Sequence, residues 1–207
     1  MKNLAKAEAR KNEILDIAEK LFLEKGYDQT TINDILNVSG FAKGSLYYYY
    51  KSKEDILDGI IKRRGDMNIE AANGIVQATN LTIVEKLLLV IQSQKPVDEK
   101  QKQLTADYEK SSNGQMFIKS LADIVKRLAP IIGDIIEQGV IEGIFSTPYP
   151  LESAQILLAT AHTLFDNNEL KWSVAEEVDK MKAFVFVVER TLGVAEGSLT
   201  AMNQAVS

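Results

Sequence analysis

Cysteine is absent from the sequence, and histidine occurs once among its 207 residues. The lack of cysteine excludes disulfides, cysteine nucleophiles and thiolate metal sites, and it fits a reducing cytoplasm. The single histidine, His162, cannot supply the two Glu-x-x-His units of a di-iron site, and no catalytic triad is recognisable around it. Because His162 lies on an apolar stretch typical of a helix, we interpret it as a buried or interface residue. We therefore expect no catalytic residue, no metal site and no cofactor.

Long apolar runs are also absent. No stretch approaches the roughly 20 consecutive apolar residues that a membrane-spanning helix requires, and the segment MKNLAKAEARKNEIL has no apolar signal core. The sequence lacks strand-type alternation, repeats with a period of about 20–50 residues and a glycine-rich phosphate loop. These absences predict an all-α protein of the cytoplasm that is neither an enzyme nor a membrane protein.

The net charge of −5 is unevenly distributed along the chain. Residues 1–64 contain 12 basic and 10 acidic residues, whereas residues 65–207 contain 12 and 19. This asymmetry is in the direction expected for a DNA-binding head on an acidic body, although it is modest. Local placement matters more than the total, and the basic residues concerned are Lys2, Lys6, Arg10, Lys11, Lys43, Lys51 and Lys53. The basic N-terminal arm could reach DNA phosphates, or it could be a solvated tail.

The stretch TTINDILNVSGFAKGSLYYYYKSKED, residues 30–55, carries the clearest local pattern. Thr31 with Asp34 forms a capping pattern that predicts the start of a short helix. Gly40 lies where the chain must turn, since glycine adopts left-handed backbone angles at little cost. A second helix is expected over 42–49, with Leu46 directed inward, and a third begins near Ser52. The spacing predicts two helices joined by a tight turn, followed directly by a third.

This arrangement suits the chemistry of DNA recognition. A helix that enters the major groove needs small residues where its backbone approaches DNA, and side chains that reach phosphates and base edges. Lys53, in the first turn of the third helix, could bind a phosphate together with the N-terminal amides of that helix. The alternative is that the tyrosine run is partly core, and we expect Tyr50 and at least one other tyrosine to pack inward. The predicted DNA-binding residues are Thr31, Lys43, Gly44, Ser45, Tyr47, Tyr48, Tyr49 and Lys53.

The same stretch resembles the helix-turn-helix signature of TetR-type (tetracycline-repressor-like) transcriptional regulators, T-x-x-D-I-x-x-x-x-G-x-x-x-G-x-L-Y-Y-x-[FY]-x-S-K-x-x-[IL]. The matching residues are Thr31, Asp34, Ile35, Gly40, Gly44, Leu46, Tyr47, Tyr48, Tyr50, Ser52, Lys53 and Ile56. The sequence departs from the signature in two places. Phe41-Ala42 replaces the usual Val-Ser, so no hydroxyl caps the recognition helix, and Tyr49 replaces a frequent histidine, which alters a possible DNA contact.

The remaining chain has helical periodicity throughout. Residues 3–25 predict a first helix that ends at Gly26, and the third helix continues from Ser52 to about Gly74, with weak points at Gly65 and Gly74. Further helices are expected over 81–93, 101–110, 115–143, 151–167 and 174–192, and Pro130 predicts a kink near 126–128. The expected organisation is an N-terminal three-helix helix-turn-helix head over 1–52, a helical-bundle ligand-binding and dimerisation domain over 53–195, and a frayed tail over 196–207.

The resemblance implies a homodimeric repressor that binds a near-palindromic operator in double-stranded DNA and is released by a small-molecule effector of unknown identity. The two last helices would form the dimer interface, and we expect it to include Leu157, Leu158, Ala161, Leu164, Phe184, Val187, Val188 and Thr191. The middle helices would enclose the effector, and the expected ligand-binding residues are Met67, Tyr108, Phe117 and Leu121. Two alternatives remain open at this point: an enzyme on a helical body, and a DNA-bound structural or cell-division factor without an effector.

Overall fold

A computed structural model of the chain describes residues 2–94, 114–165 and 170–201. These residues are helical and contain no strand, which confirms the all-α prediction. None of the helices in the described ranges combines the length and the apolar character that crossing a membrane requires. The helices are α1 Lys2–Lys25, α2 Ile32–Ser39, α3 Lys43–Tyr49, α4 Lys53–Val76, α5 Ile83–Gln92, α6 Gly114–Asp123, α7 Ala129–Ile141, α8 Pro150–Phe165 and α9 Val174–Leu192. The helix expected over 101–110 lies outside the described residues.

The chain divides into two compact units. The head unit comprises Met1–Arg64 with Lys100–Ser120, and the body unit comprises Gly65–Glu99 with Leu121–Ser207. About the first three turns of α4, up to Arg64, belong to the head unit, and Ile56, Leu57 and Ile60 are fully buried in its core. The division therefore falls later in the chain than the expected boundary at residues 52–53, where the sequence shows only the start of a helix.

The core of the head unit is formed by side chains from α1, α2, α3 and the first part of α4. Phe22 of α1 packs edge-on against Tyr27, with the ring centroids 5.1 Å apart, and Ile35 of α2 and Leu46 of α3 are fully buried beside them. Gly26 ends α1 in the left-handed region, at φ 88°, as expected for a glycine cap. Because Leu46 is buried in this core, the core fixes the orientation of α3 and leaves its opposite face outward.

The body unit contains the predicted break in its longest apolar helix. Residues Ile124–Leu128 form a π-helical turn between α6 and α7, and the N–H of Ala129 donates to the carbonyl oxygen of Ile124. Pro130 explains the break, because it has no N–H to donate and its ring crowds the preceding turn. This turn includes residues 126–128, where the kink is expected, and it begins two residues earlier, at Ile124.

The glycines of α4 behave differently from expectation. The helix continues without interruption through both Gly65 and Gly74 to Val76. Within the body unit, a Cβ atom at Gly65 would collide with the carboxylate of Asp123 and would come within 2.7 Å of the Arg127 guanidinium. Gly65 is therefore a site of close approach between α4 and the segment after α6, and the predicted helix weak point there is wrong.

Two of the predicted dimer residues belong to the core of the body unit instead. Phe184 and Val188 of α9 are buried in a single chain, together with Val185 and Leu192. The other predicted residues that are half-buried are Leu157, Leu158, Ala161, Leu164 and Thr191. Of these, Leu157, Leu158 and Ala161 of α8 pack against the same core. Among the predicted set, only Val187 is largely open to solvent. The apolar pattern of α9 covers two faces, and it could not show which one turns inward.

The segment after α9 is anchored as far as residue 201. Leu199 is buried in the body core, and the buried carboxylate of Glu189 accepts hydrogen bonds from the N–H groups of Gly197, at 3.0 Å, and Leu199, at 2.8 Å. The expectation of fraying from residue 196 onward therefore does not hold for residues 196–201, and residues 202–207 lie outside the described part.

Candidate nucleic-acid interface

The turn between α2 and α3 has the geometry that its glycine predicts. Gly40 lies in the left-handed region at φ 68°, and its N–H donates to the carbonyl oxygen of Leu36 at 2.9 Å. Ala42 stands at the N-cap of α3 and makes no side-chain hydrogen bond, as its lack of a hydroxyl requires. Within the turn, the Ser39 hydroxyl accepts a hydrogen bond from the N–H of Phe41 at 3.3 Å, which precedes the cap and leaves the first N–H groups of α3 without a side-chain partner.

Helix α3 separates an inner face from an outer face within seven residues. Leu46 and Tyr50 point into the head core, as predicted. Lys43 and Gly44 are exposed, and so are the side chains of Tyr47, at 42 %, and Tyr48, at 82 %. A small residue, a cation and two phenols therefore form one continuous solvent-facing edge. Ser45 is half-buried at its margin.

The four consecutive tyrosines have different environments. Tyr49 is half-buried, packs against the head core, and meets the ring of Tyr48 edge-on with centroids 5.0 Å apart. Tyr50 is buried, its hydroxyl has no hydrogen-bond partner among the described residues, and burial raises its pKa to about 12. Lys43 Nζ lies 5.9 Å from the ring centroid of Tyr47, near the limit of a cation–π contact. The exposed ring of Tyr48 is thus supported by the half-buried Tyr49.

Thr31 caps α2 in a reciprocal arrangement with Asp34. The N–H of Asp34 donates to the Thr31 hydroxyl at 3.1 Å, and the carboxylate of Asp34 accepts from the N–H and the hydroxyl of Thr31, at 2.8 and 2.6 Å. These hydrogen bonds, with a further one from Lys25, hold the pKa of Asp34 at about 2. Thr31 is exposed at the start of α2, so it both fixes that helix end and presents it to solvent.

Lys53 has a partner that sequence reasoning did not identify. Its Nζ donates to the carbonyl oxygen of Tyr27 at 2.7 Å, lies 3.4 Å from the carbonyl oxygen of Asp28, and sits 4.2 Å from the centroid of the Tyr27 ring. The ammonium group therefore ties the first turn of α4 to the segment that follows α1. Since these partners are 25 and 26 residues away in the chain, no local pattern signals the contact.

Three of the four predicted effector residues lie in the described structure. Met67 is 57 % exposed on α4, Phe117 and Leu121 are half-buried on α6, and Tyr108 lies outside the described residues. Two concave sites of the described chain belong to the head unit and include none of the four. The first, of about 280 Å³, is lined by Asp16, Ile17, Lys20, Leu21, Glu24 and Val38, and the second, of about 130 Å³, by Lys6, Ala7, Arg10 and Tyr49.

Charged residues of α6 and of the π-helical turn hold α4 at two points, and sequence reasoning missed both. In the head unit, Lys119 Nζ lies 2.5 Å from Asp58 Oδ1 and 3.2 Å from Glu54 Oε1. In the body unit, Arg127 lies 2.6 Å from Asp66 Oδ1 and 3.2 Å from Asp123 Oδ1. The hydrogen bond to the Asp58 carboxylate is the main cause of a raised pKa of Lys119, and the hydrogen bond to Glu54 raises it further. The only sequence signal was the acidic character of α4 at positions 54, 58 and 66.

A short outward-facing helix that follows a glycine turn and packs on a helical core is the arrangement of a helix-turn-helix DNA-binding protein. The family model described as bacterial regulatory proteins, tetR family, matches residues 14–60, and the model described as tetracyclin repressor-like, C-terminal domain, matches residues 95–187. The chain belongs to the TetR family of transcriptional regulators, and it is a DNA-binding regulator of transcription.

Curated relatives and solved structures agree with this assignment. The chain is 26 % identical over 139 residues to the HTH-type transcriptional repressor KstR2 of Mycobacterium tuberculosis strain H37Rv, covering 66 % of this chain and 70 % of that one. It is 37 % identical over 79 residues to the fatty acid metabolism regulator protein of Bacillus subtilis, covering 38 % and 40 %. A TetR-family regulator from Syntrophomonas wolfei has the same fold, with a TM-score of 0.66 at 22 % identity over 92 % and 99 % of the chains. The structure of FadR from Bacillus subtilis in complex with stearoyl-CoA has a TM-score of 0.62 at 24 % identity, covering 89 % of this chain and 98 % of that one.

Proposed function

We propose that the protein is a homodimeric repressor that binds a near-palindromic operator through α3 and is released by a small-molecule effector. The observation that carries the DNA-binding part is the outer face of α3. Leu46 and Tyr50 are held in the core, while Lys43, Tyr47 and Tyr48 point to solvent.

The chemistry of that face suits the major groove. Gly44 has no side chain to hold the helix backbone away from the base edges, and nothing lies within 4 Å of the position that a Cβ atom would take there. The hydroxyls of Tyr47 and Tyr48 can donate to or accept from base edges and phosphates, whereas Lys43 can pair with a phosphate. Thr31, Ser45, Tyr49 and Lys53 complete the proposed contact set. For Lys53 the contact with Tyr27 means that it positions α4 as well.

The proposed dimer uses the solvent-facing sides of α8 and α9. Ile156 of α8 and Phe186 and Val187 of α9 are large apolar residues that a single chain leaves exposed. Exposed apolar surface on paired helices is typical of a two-fold interface, which would bury at least about 1,000 Å² in total. Two heads related by a two-fold axis would meet major grooves about 34–36 Å apart, and this spacing predicts a near-palindromic operator.

The proposed effector class is a long-chain acyl-coenzyme A. Two similarities suggest this class: the chain resembles the fatty acid metabolism regulator protein of Bacillus subtilis, and it shares its fold with FadR of that organism in complex with stearoyl-CoA. An effector releases DNA only if it binds the DNA-free state more tightly, and a coupling of about 1–3 kcal/mol would weaken operator binding roughly 5- to 150-fold. Helix α4, which runs from the head unit into the body unit, is the segment through which we expect the coupling to act.

The test is a pair of titrations on one operator. A genomic-fragment selection with the purified protein supplies the operator, and calorimetry then measures stearoyl-CoA binding with and without that DNA. We expect operator DNA to weaken stearoyl-CoA binding by the same factor by which stearoyl-CoA weakens operator binding. Equal affinities in the two titrations would remove stearoyl-CoA as an effector, and DNA binding that no small molecule releases would favour a structural DNA-binding factor. A selection that enriches no fragment would refute the DNA-binding role itself.

A further inference from the structure

The second concave site of the head unit lies between α1 and the end of α3. Its volume is about 130 Å³, and its lining residues are Lys6, Ala7, Arg10 and Tyr49. Lys6 and Arg10 are four residues apart on α1, so their side chains extend from the same face of the helix. Ala7 leaves the space between them open because its side chain is a single methyl group. We call this site the α1–α3 notch.

Two features restrain side chains that line the notch. Tyr49 is half-buried and packs against the head core, so its phenol group is held at one wall. The Arg10 guanidinium carbon lies 5.7 Å from the centroid of the Phe41 ring, which restrains the arginine while leaving its N–H groups available. The notch thus combines a planar guanidinium, a mobile ammonium group and a hydroxyl donor at one concave surface.

Among the described residues of the head unit, neither Lys6 nor Arg10 forms an ion pair, and both are exposed to solvent. Other basic residues in this described part do pair with carboxylates, among them Lys20, Lys25, Arg63, Arg64 and Lys119. Neither Lys6 nor Arg10 belongs to that group, so the positive charge of the notch is available to a ligand from outside the chain.

We propose that the α1–α3 notch binds one phosphodiester group of the DNA backbone beside the groove that α3 enters, a proposal that rests on the proposed function. The arginine fork and the ammonium group neutralise the phosphate charge, and the Tyr49 hydroxyl donates the third hydrogen bond. Because phosphate contacts fix the orientation of a protein on the duplex, the notch sets the register of α3 through α1. This contact involves the first helix, and it is additional to the recognition helix and the start of α4.

The test is the salt dependence of binding to duplex DNA of random sequence, measured with the full-length protein. Lys6→Ala combined with Arg10→Ala removes the two cations, and each lost phosphate contact lowers the slope of log K against log salt by about 0.9. With one notch in each head of a dimer, we expect the slope to fall by about 1.8. The matched control is Lys126→Ala combined with Lys182→Ala, which makes the same charge change at two exposed positions of the body unit. An equal fall in both pairs, or no fall in the first, would overturn the notch.

A second measurement locates the phosphate on the operator itself. Single uncharged methylphosphonate linkages are placed along each operator strand, and the affinity of the wild type is compared with that of the double variant. We expect one linkage in each half-site that weakens the wild type but leaves the variant unaffected.

Saturable binding of inorganic phosphate to the notch, without any such linkage, would assign the notch to a free anion and overturn the proposal. A wild type that binds no DNA would refute the proposed function instead. Unchanged thermal unfolding of both double variants shows that all four lysine and arginine changes leave the fold intact.

Discussion

The head unit and the body unit place their apolar and polar residues in opposite ways. The head buries its large apolar residues around Phe22 and Leu46 and exposes phenols and cations on α3. The body leaves Ile156, Phe186 and Val187 exposed on α8 and α9, above a core that a single chain already closes. A surface for DNA must keep hydrogen-bonding groups in water, whereas a surface for a second copy must exclude water. These two surfaces therefore suit different partners, which we propose to be DNA for the head unit and a second copy of the chain for the body unit.

Two adjacent valines of α9 give the largest expected difference. Val188 is 2 % exposed and Val187 is 50 % exposed. Val188→Glu places an unpaired carboxylate in the body core and should cost about 4 kcal/mol or more of unfolding free energy. Val187→Glu should leave the single-chain core intact and weaken self-association instead. Urea unfolding and sedimentation equilibrium of both variants measure these two outcomes.

The comparison fails if both valines respond alike. Val174→Glu, at an exposed position in the first turn of α9, is the matched control because it introduces the same charge outside the expected interface. Dimers that persist in Val187→Glu and Ile156→Glu would place the interface elsewhere. A loss of dimers in Val188→Glu would not locate the interface, because it would report a damaged core.

The recognition helix supplies the next largest effect. Tyr47→Ala removes an exposed phenol from the outer face of α3 and should weaken operator binding by about 1–3 kcal/mol if it contacts a base. Its effect on unfolding should be small, since the side chain is 42 % exposed. Fluorescence anisotropy with operator and with random duplex separates the two kinds of contact. Equal weakening on both DNAs would mean that Tyr47 contacts only the backbone.

Local patterns predicted the head better than the body for a physical reason. In the head, Thr31, Gly40, Leu46 and Tyr50 are placed by rules that act over three or four residues, so caps, turn and helix period identify them. In the body, the inward face of α9 depends on α7 and α8, which its own sequence cannot show. The ion pair between Arg127 and Asp66 in the body unit crosses 61 residues of chain, and no local pattern encodes such a separation.

A smaller effect is expected at the fourth tyrosine of the run. Tyr50→Phe deletes a buried hydroxyl that has no hydrogen-bond partner among the described residues. Removing an unsatisfied polar group should raise the free energy of unfolding by about 1 kcal/mol. Tyr48→Phe is the control, because that hydroxyl is exposed and its loss should not change stability. Thermal unfolding of the two variants measures the difference, and a destabilised Tyr50→Phe would reveal a partner for the hydroxyl.

Lys119 tests whether charge or packing holds α6 on α4. Lys119→Met keeps the length of the side chain and removes its pairs with Glu54 and Asp58, which should cost about 1 kcal/mol or less because such pairs are partly solvated. The raised pKa means that this stabilisation is present below the unfolded pKa of lysine and is lost as the pH rises through the folded value. Lys126→Met is the control. A loss that persists unchanged in high salt would indicate packing.

The smallest effect separates a helix cap from a DNA contact at Thr31. Hydrogen bonds from the Thr31 hydroxyl and N–H, together with that from Lys25, hold the pKa of Asp34 at about 2, below its value in an unfolded chain. A depressed pKa stabilises the fold above the unfolded value near 4, and this contribution is lost as the pH falls through about 2.

In an NMR titration, Thr31→Ala should raise the Asp34 midpoint, whereas Thr31→Ser should restore it. If Thr31→Ser also restores operator binding that Thr31→Ala weakens, the hydroxyl acts through the cap or on a phosphate. If binding fails to recover while the Asp34 midpoint does, the methyl group of Thr31 contacts the DNA.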